Sequence, residues 1–387
     1  MRSEFLPFHK QTVGEREIEA VVNALKSPWI TSGPQVQQLE KDFASYVGCK
    51  FAVAVNSCTA ALHLALDAIG LKEGDEVLVP TMTFAATAET VLYFQAKPIL
   101  VDVDRTTQHI DLADARKKIT SKTKAIMPVH VAGLACDMPA ISEFAKVYRL
   151  RVIEDAAHAF PTKSRGKWIG AISDATCFSF YATKTITTGE GGMLTTDDEA
   201  IAKRARIMRT HGLDRDAYSR SNQPDSWAYD IVEPGFKYNM TDVAAAMGVV
   251  QLSRAEEFRL AREKIAAQYS TELSGISGLL LPPEPPQDDL HSWHLYTIRL
   301  DLEKTHIRRN ELTRSLRQRN IGTSVHWIPL HLHTYYRERL GYRPEDLPNG
   351  SWLAERIFSL PIFPSMTAKD VGDVCETLRE SLNEKSH

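Results

Sequence analysis

Apolar and polar positions along this chain repeat with two different periods. Near the start, EREIEAVVNALKS (15–27) and QVQQLEKDFASYV (35–47) place apolar residues every three or four positions, which predicts two amphipathic helices split by the Pro and Gly breakers of SPWITSGP. Short β-rich runs then take over. FAVAVNS (51–57), DEVLVP (75–80), PILVDVD (98–104), KAIMPVH (124–130), RVIEDAA (151–157), ATCFSFY (175–181) and GGMLTTD (191–197) predict strands, with helices TAALHLALDAIG (59–70) and AATAETVLYFQ (85–95) between the first of them. Alternating strands and helices predict an α/β fold, a mostly parallel seven-stranded sheet covered on both faces.

From Asp242 the run DVAAAMGVVQLSRAEEFRLAREKIAAQYSTEL has few breakers and predicts one helix of about eight turns. Beyond it come the Pro-rich PPEPPQ (282–287), strands SWHLYTIRL (292–300) and IGTSVHW (321–327), and helices RRNELTRSLRQRN (308–320) and AKDVGDVCETLRESLNE (368–384). A chain of 387 residues is long for a single core. The pattern divides it into an arm and large α/β domain over 1–250 and a small α+β domain over 251–387.

A formal charge of −3 and 43% hydrophobic content are those of an ordinary globular chain and argue against nucleic acid or a membrane surface as a partner. The opening MRSEFLPFHKQTVGERE has no apolar secretory core, and no apolar run reaches the length of a membrane span; a cytoplasmic protein is expected. Five scattered cysteines without a CxxC pair read as reduced thiols. In HWIPLHLH, His326, His331 and His333 recur at short spacing with no carboxylate or cysteine among them, so no metal is expected.

Three features carry chemistry. Lys184 follows the aromatic, strand-like FSFY and precedes the glycine-rich ITTGEGG, a frame that a solvated surface lysine does not need and a Schiff-base lysine does. The glycines of Glu190-Gly191-Gly192 suit a turn with positive φ and a close backbone approach. Asp155 ends an apolar strand, where open α/β sheets bind ligands; alone it reads equally as a helix cap. NSCTAAL (56–62) opens a helix after a strand, so its first amides with the Ser57 and Thr59 hydroxyls form a phosphate cradle, although Ser and Thr are also routine caps. No GxGxxG accompanies it, which disfavours a dinucleotide. A phosphate cradle, a strand-end carboxylate and a framed lysine, all on βα junctions, suit pyridoxal phosphate.

At this point the chain resembles the DegT- or StrS-type sugar aminotransferases, enzymes of the aspartate-aminotransferase fold (PLP-dependent transferase fold type I). The likeness runs through SPWITSGPQVQQLEKDFASYVG, GDEVLVPTMTFAAT, MPVHVAG, VIEDAAHA, FSFYATKTITTGEGGMLTT, GFKYNMTD and SLPIFPSMT. GFKYN, HSWHLYTIRL and IGTSVHW look most similar to enzymes that aminate C4 of nucleotide-linked keto sugars, of the UDP-4-amino-4-deoxy-L-arabinose aminotransferase kind.

The resemblance implies residue roles. Lys184 would bond the cofactor and move the proton, and Asp155 would hold the pyridine nitrogen protonated. Ser57, Cys58, Thr59 and Ser179 would bind the phosphate, Cys58 through its backbone. Phe84 would stack on the ring, and His158 would lie near the ring oxygen. Asn239 would reach the phosphate in a neighbouring subunit, making the active unit a homodimer, with 211–239 as the arm that crosses between subunits. His326 and His331 would face the sugar nucleotide. The implied reaction moves the amino group of L-glutamate to a nucleotide-linked 4-keto sugar in amino-sugar synthesis. Amination at C3, a non-catalytic cofactor-binding sensor on the same scaffold and a nicotinamide dehydrogenase stay as alternatives; Lys184 counts against the radical dehydratases of the family, which replace it.

Overall fold

The strands of this chain are β1 (Phe51–Val55), β2 (Glu76–Pro80), β3 (Lys97–Val101), β4 (Thr123–Ile126), β5 (Arg151–Asp155), the hairpin β6 (Lys163–Ser164) and β7 (Lys167–Trp168), β8 (Ala175–Ser179), β9 (Gly192–Thr196), β10 (Leu279–Leu280), β11 (Tyr296–Leu300) and β12 (Ile357–Leu360). They are seen in a computed structural model that describes residues 2–214, 218 and 227–383. Seven of them form one sheet in the order β1-β9-β8-β5-β4-β2-β3. Only the two pairings made by β9 are antiparallel. All seven expected runs are therefore strands of the expected, mostly parallel sheet, each trimmed to four or five residues where the chain turns off the sheet into a loop.

Alternate side chains of these strands feed two cores, because successive residues point to opposite faces. On one face Phe43 packs against Phe160, Phe178 and Phe180, with ring centroids 4.7, 5.0 and 5.6 Å apart. On the other lie Leu62, Leu64 and Leu66 of the helix Cys58–Ala68 and Val91 of the helix Ala85–Leu92. Burying one such side chain stabilises the fold by about 1.5–3 kcal/mol.

The expected single helix after Asp242 is two, Asp242–Ser253 and Ala255–Leu273, broken at Arg254. No proline or glycine marks the break. It coincides with the Arg254 guanidinium pairing with Glu17 (2.9 Å) of the first helix, Glu15–Lys26, and with Glu257 (2.8 Å). The run 321–327 is also no strand, since Ile321 and Ser324 each make a single bridge, to Leu6 and Ser359.

A third core joins Ile265, Tyr269, Tyr296, Leu312, Phe358 and Leu378 over the sheet β10-β11-β12. Leu6 belongs to it: its N–H donates to Asn320 O and its carbonyl accepts from Gly322 N, both at 2.8 Å. The residues after Leu6 run on toward the large sheet, carrying Phe8 to a ring contact with His326 at 5.3 Å. Among the described residues no helix is long and apolar enough to cross a membrane.

Candidate active site

The carboxyl ends of β5 and β8 meet the start of the helix Cys58–Ala68 around a cavity of about 470 Å³. Ser57, Cys58, Thr59, Phe84, Asp155, His158, Ser179, Lys184 and His326 all line it, so nine of the eleven site residues expected from sequence converge. Such an edge is where a parallel sheet leaves room for a ligand.

At the helix start, Ser57 Oγ accepts the Ala60 N–H at 3.1 Å and caps the helix. The amides of Cys58 and Thr59 are first-turn donors with no intrahelical acceptor, which makes the helix start an anion cradle. β9 presses against it: a Cβ on Gly192 would come within 2.5 Å of the Ser57 carbonyl carbon and 2.7 Å of the Cys58 nitrogen. Close approach, not positive φ, is why glycine stands at 192; the positive φ of this turn (+79°) belongs to Gly189. Burial pushes the Cys58 thiol well up, so it stays protonated and packs, its Sγ 3.5 Å from Cys177 O.

Asp155 is buried and both its oxygens are held, Oδ2 by the Thr87 hydroxyl (2.7 Å) and Oδ1 by the Ala157 N–H (3.0 Å). Its neighbour Glu154 points to the opposite face and is held as fully, by Thr176 Oγ1 (2.8 Å) and His130 Nε2 (2.8 Å). The Cys136 N–H donates to His130 Nδ1 at 3.0 Å, so that nitrogen carries a lone pair and Nε2–H is the donor to Glu154. His130 N also donates to Asp155 O (3.2 Å), tying this pair to the strand end.

Lys184 sits in a tight turn, its N–H donating to Tyr181 O at 2.9 Å. Burial pushes its ammonium down to about 8, against the opposing pull of Cys58 and Asp155. An amine near that value gives up its proton far more readily than a surface lysine.

The wall around Lys184 holds residues that sequence reasoning left without a role. His294 and Trp327 line the cavity with His158 and His326. His158 stacks on Trp327 (centroids 4.9 Å) and lies 4.3 Å from the His294 ring. His326 Nδ1 meets Ser359 Oγ at 2.9 Å. His9, from the N-terminal segment, lies close enough to Lys184 for that charge to help burial and Arg262 push its imidazole down to about 4. The motif HSWHLY displays His294, but only the fold places it beside Lys184.

Two expected residues lie elsewhere. His331 does not line the cavity: its Nδ1 meets Thr81 Oγ1 (2.7 Å) and its Nε2 meets Ser351 Oγ (2.9 Å), which saturates the ring. Asn239 bridges Val55 and donates to Ser32 Oγ at 2.8 Å, outside its own cavity wall. Part of the expected arm 211–239, residues 215–217 and 219–226, lies outside the described residues. Among the described residues no group of three or more His, Cys, Asp or Glu is arranged to hold a metal.

The donor set suits a flat ligand with an anionic group at one end, a basic ring nitrogen at the other and a carbonyl between. An anion cradle, a fixed carboxylate and a desolvated amine face one cavity, and Phe84, 62% exposed, offers a bare ring to stack on. These residues fit pyridoxal phosphate.

Comparison with known proteins agrees. Residues 11–379 match the model of the DegT/DnrJ/EryC1/StrS aminotransferase family. The spore coat polysaccharide biosynthesis protein SpsC of Bacillus subtilis is 46% identical over 380 residues, covering 98% of this chain and 97% of its own. Spr1654 of Streptococcus pneumoniae, solved in a PMP form, is 32% identical with a TM-score of 0.91, covering 97% of this chain and 98% of its own. The aminotransferase TlmJ from Streptoalloteichus hindustanus is 31% identical with a TM-score of 0.90, over 98% of this chain and 99% of that one.

Proposed function

The chain belongs to the DegT/DnrJ/EryC1/StrS aminotransferase family and is a pyridoxal-phosphate-dependent transaminase of amino-sugar biosynthesis, and from that premise we propose that it moves the amino group of L-glutamate onto C4 of a nucleotide-linked keto sugar. The observation that carries the reading is the meeting of the buried Lys184 amine, the doubly held Asp155 carboxylate and the helix-start amides in one cavity. Bound there, pyridoxal phosphate supplies the electron sink that lets a C–H bond next to nitrogen release its proton.

The amides of Cys58 and Thr59, with Ser57 and Ser179, would hold the phosphate. Asp155 would keep a proton on the ring nitrogen, and Thr87 and Ala157 hold its carboxylate in place. Lys184 Nζ takes the proton from the α-carbon of glutamate; in the other half-reaction it returns a proton to C4 of the sugar. Phe84 would offer its ring to the cofactor's, and Trp327, His158 and His326 line the same cavity.

The working unit in this reading is a homodimer in the cytoplasm. Ile18, Val22 and Leu25 leave an apolar row exposed on the helix Glu15–Lys26, and Trp227, Tyr229, Ile231 and Val232 are exposed near the start of 227–239. A second copy that covers these surfaces brings Asn239 to the neighbouring phosphate site.

The test is optical. Purified protein loaded with cofactor should be yellow, and L-glutamate should bleach the band while releasing one equivalent of 2-oxoglutarate. A panel of UDP-, dTDP- and GDP-linked 4-keto and 3-keto sugars should then restore it, with a 4-keto sugar fastest. A protein that takes up cofactor but neither bleaches with glutamate nor aminates any sugar is not the proposed enzyme.

A further inference from the structure

Hydrogen bonding around Lys184 is unfinished in a way that points to a ligand. Four buried polar atoms without a hydrogen-bond partner among the described residues gather there: His9 Nε2, His158 Nδ1, His294 Nδ1 and Arg262 Nε. Buried polar groups are normally satisfied, so such a cluster calls for an explanation.

The charge balance says what kind of ligand. Arg262 lies fully buried on the helix Ala255–Leu273, its Nη1 reaching only main-chain carbonyls, Ile362 O at 2.9 Å, His294 O at 3.3 Å and Trp293 O at 3.4 Å. No carboxylate pairs with it among the described residues. The charged groups bearing on His294 are Lys184 and Arg262, beside the rings of His158 and His326; those bearing on His158 are Lys184 and His326. Burial first and these positive neighbours second hold both rings well below the ordinary imidazole range, so both are neutral. The charged groups that bear on these two rings are positive, and the Asp155 carboxylate on the same cavity wall is already held by Thr87 and Ala157.

A transaminase that uses one pocket for two unlike substrates faces a recognition problem, and this step rests on the reading above that glutamate and a keto sugar alternate there. A permanent cation in the cavity wall would suit a carboxylate but would be left unpaired beside sugar hydroxyls, which is costly when buried. A neutral imidazole offers one donor and one acceptor, as a hydroxyl needs. Given an anion to face, the same ring gains a proton and becomes the cation. We propose that His294, with His158 beside it, is the subsite that receives the carboxylate of the amino donor and then the hydroxyls of the sugar, changing between the two by taking up and releasing a proton.

The probe is succinate, an unreactive dicarboxylate, titrated into the cofactor-loaded protein by calorimetry in buffers of different ionisation heat from pH 6.5 to 8.5. Binding should take up protons and weaken as pH rises, approaching tenfold per unit where the uptake is one proton. His294→Asn, which keeps a polar side chain but cannot titrate, should weaken succinate about tenfold and remove most of the uptake. Lys184 titrates too, so the difference between variant and parent is the deciding quantity. The visible band reports that the variant still holds cofactor; if it does not, His294→Gln and His158→Asn carry the same expectation. Succinate that binds with no proton uptake, that fails to bind, or that binds the variants with unchanged affinity and uptake overturns the proposal. If glutamate bleaches the parent while succinate behaves in one of those ways, this inference alone fails; if glutamate does not bleach it, the donor reading fails first.

Discussion

The end of β5 and the wall around Lys184 face the same cavity, yet one is saturated with hydrogen bonds and the other is not. Asp155 and Glu154 each have both oxygens held, and His130 has both ring nitrogens engaged. Across the cavity, buried nitrogens of His9, His158 and His294 have no partner among the described residues. His331 makes the contrast within one residue type, since both of its nitrogens are occupied by hydroxyls. A group that must hold one cofactor in one pose gains from complete fixing by its neighbours. A surface that meets two substrates in turn gains from bonds left open. Saturation thus separates the parts of the site that stay constant from those that respond.

The comparison makes ordered predictions. Lys184→Ala should remove the proton carrier and the bonding amine together and reduce turnover by at least about 10²–10⁴-fold, measured as single-turnover 2-oxoglutarate release; near-normal turnover would disprove its role. Asp155→Ala should cut the same rate by about 10²–10³-fold, as for other fixed electrostatic groups, with cofactor still bound through the phosphate cradle. On the saturated side, His130→Ala strands Glu154 and should destabilise the fold by about 3–5 kcal/mol, read from denaturant unfolding of the cofactor-loaded protein. On the open side, His294→Asn should change stability by no more than about 1 kcal/mol, because it removes no hydrogen bond. Equal destabilisation by the two histidine changes would erase the distinction between the regions.

The smallest effect is one of pH. Burial lowers the Lys184 amine to about 8, so its reactive, uncharged form grows in as pH rises through that value. Capture of added pyridoxal phosphate by the cofactor-free protein, followed at its visible band, should rise to a plateau with a midpoint near 8. The same depression means that, above pH 8, the unfolded chain holds this proton longer than the folded one. Lys184 therefore destabilises the fold less and less as pH climbs from about 8 toward the ordinary lysine range. A capture midpoint above 10 would mean the amine is solvated.

Much of this was legible along the chain because its signals are local. Each of the seven strands is a β-rich run whose apolar side chains face helices, and Lys184, Asp155 and Ser57 stand at the ends of such runs, where side chains emerge into a common cavity. What stayed hidden depends on distant partners. The helix breaks at Arg254, where that side chain meets Glu17 from far back in the chain, and no breaker residue announces it. His331 and His326 look alike in HWIPLHLH, and only the positions of Thr81 and Ser359 separate a saturated ring from a cavity wall. The close backbone approach expected of these glycines holds at Gly192, but the neighbour that excludes a Cβ there, the backbone of Ser57 and Cys58, is supplied only by the fold.

The pairing of Leu6 with Ile321 has a consequence for the time at which this protein becomes a catalyst. Leu6 completes its contacts only once Asn320, Ile321 and Gly322, which stand far along the chain from it, have been made and folded. The large sheet can assemble in the meantime, and with it the cradle, Asp155 and Lys184. His9 and Phe8, however, reach the site only when that late clasp closes over His326. The cofactor's floor thus depends on the large sheet alone, whereas the enclosed chamber depends on a pairing between two distant parts of the chain.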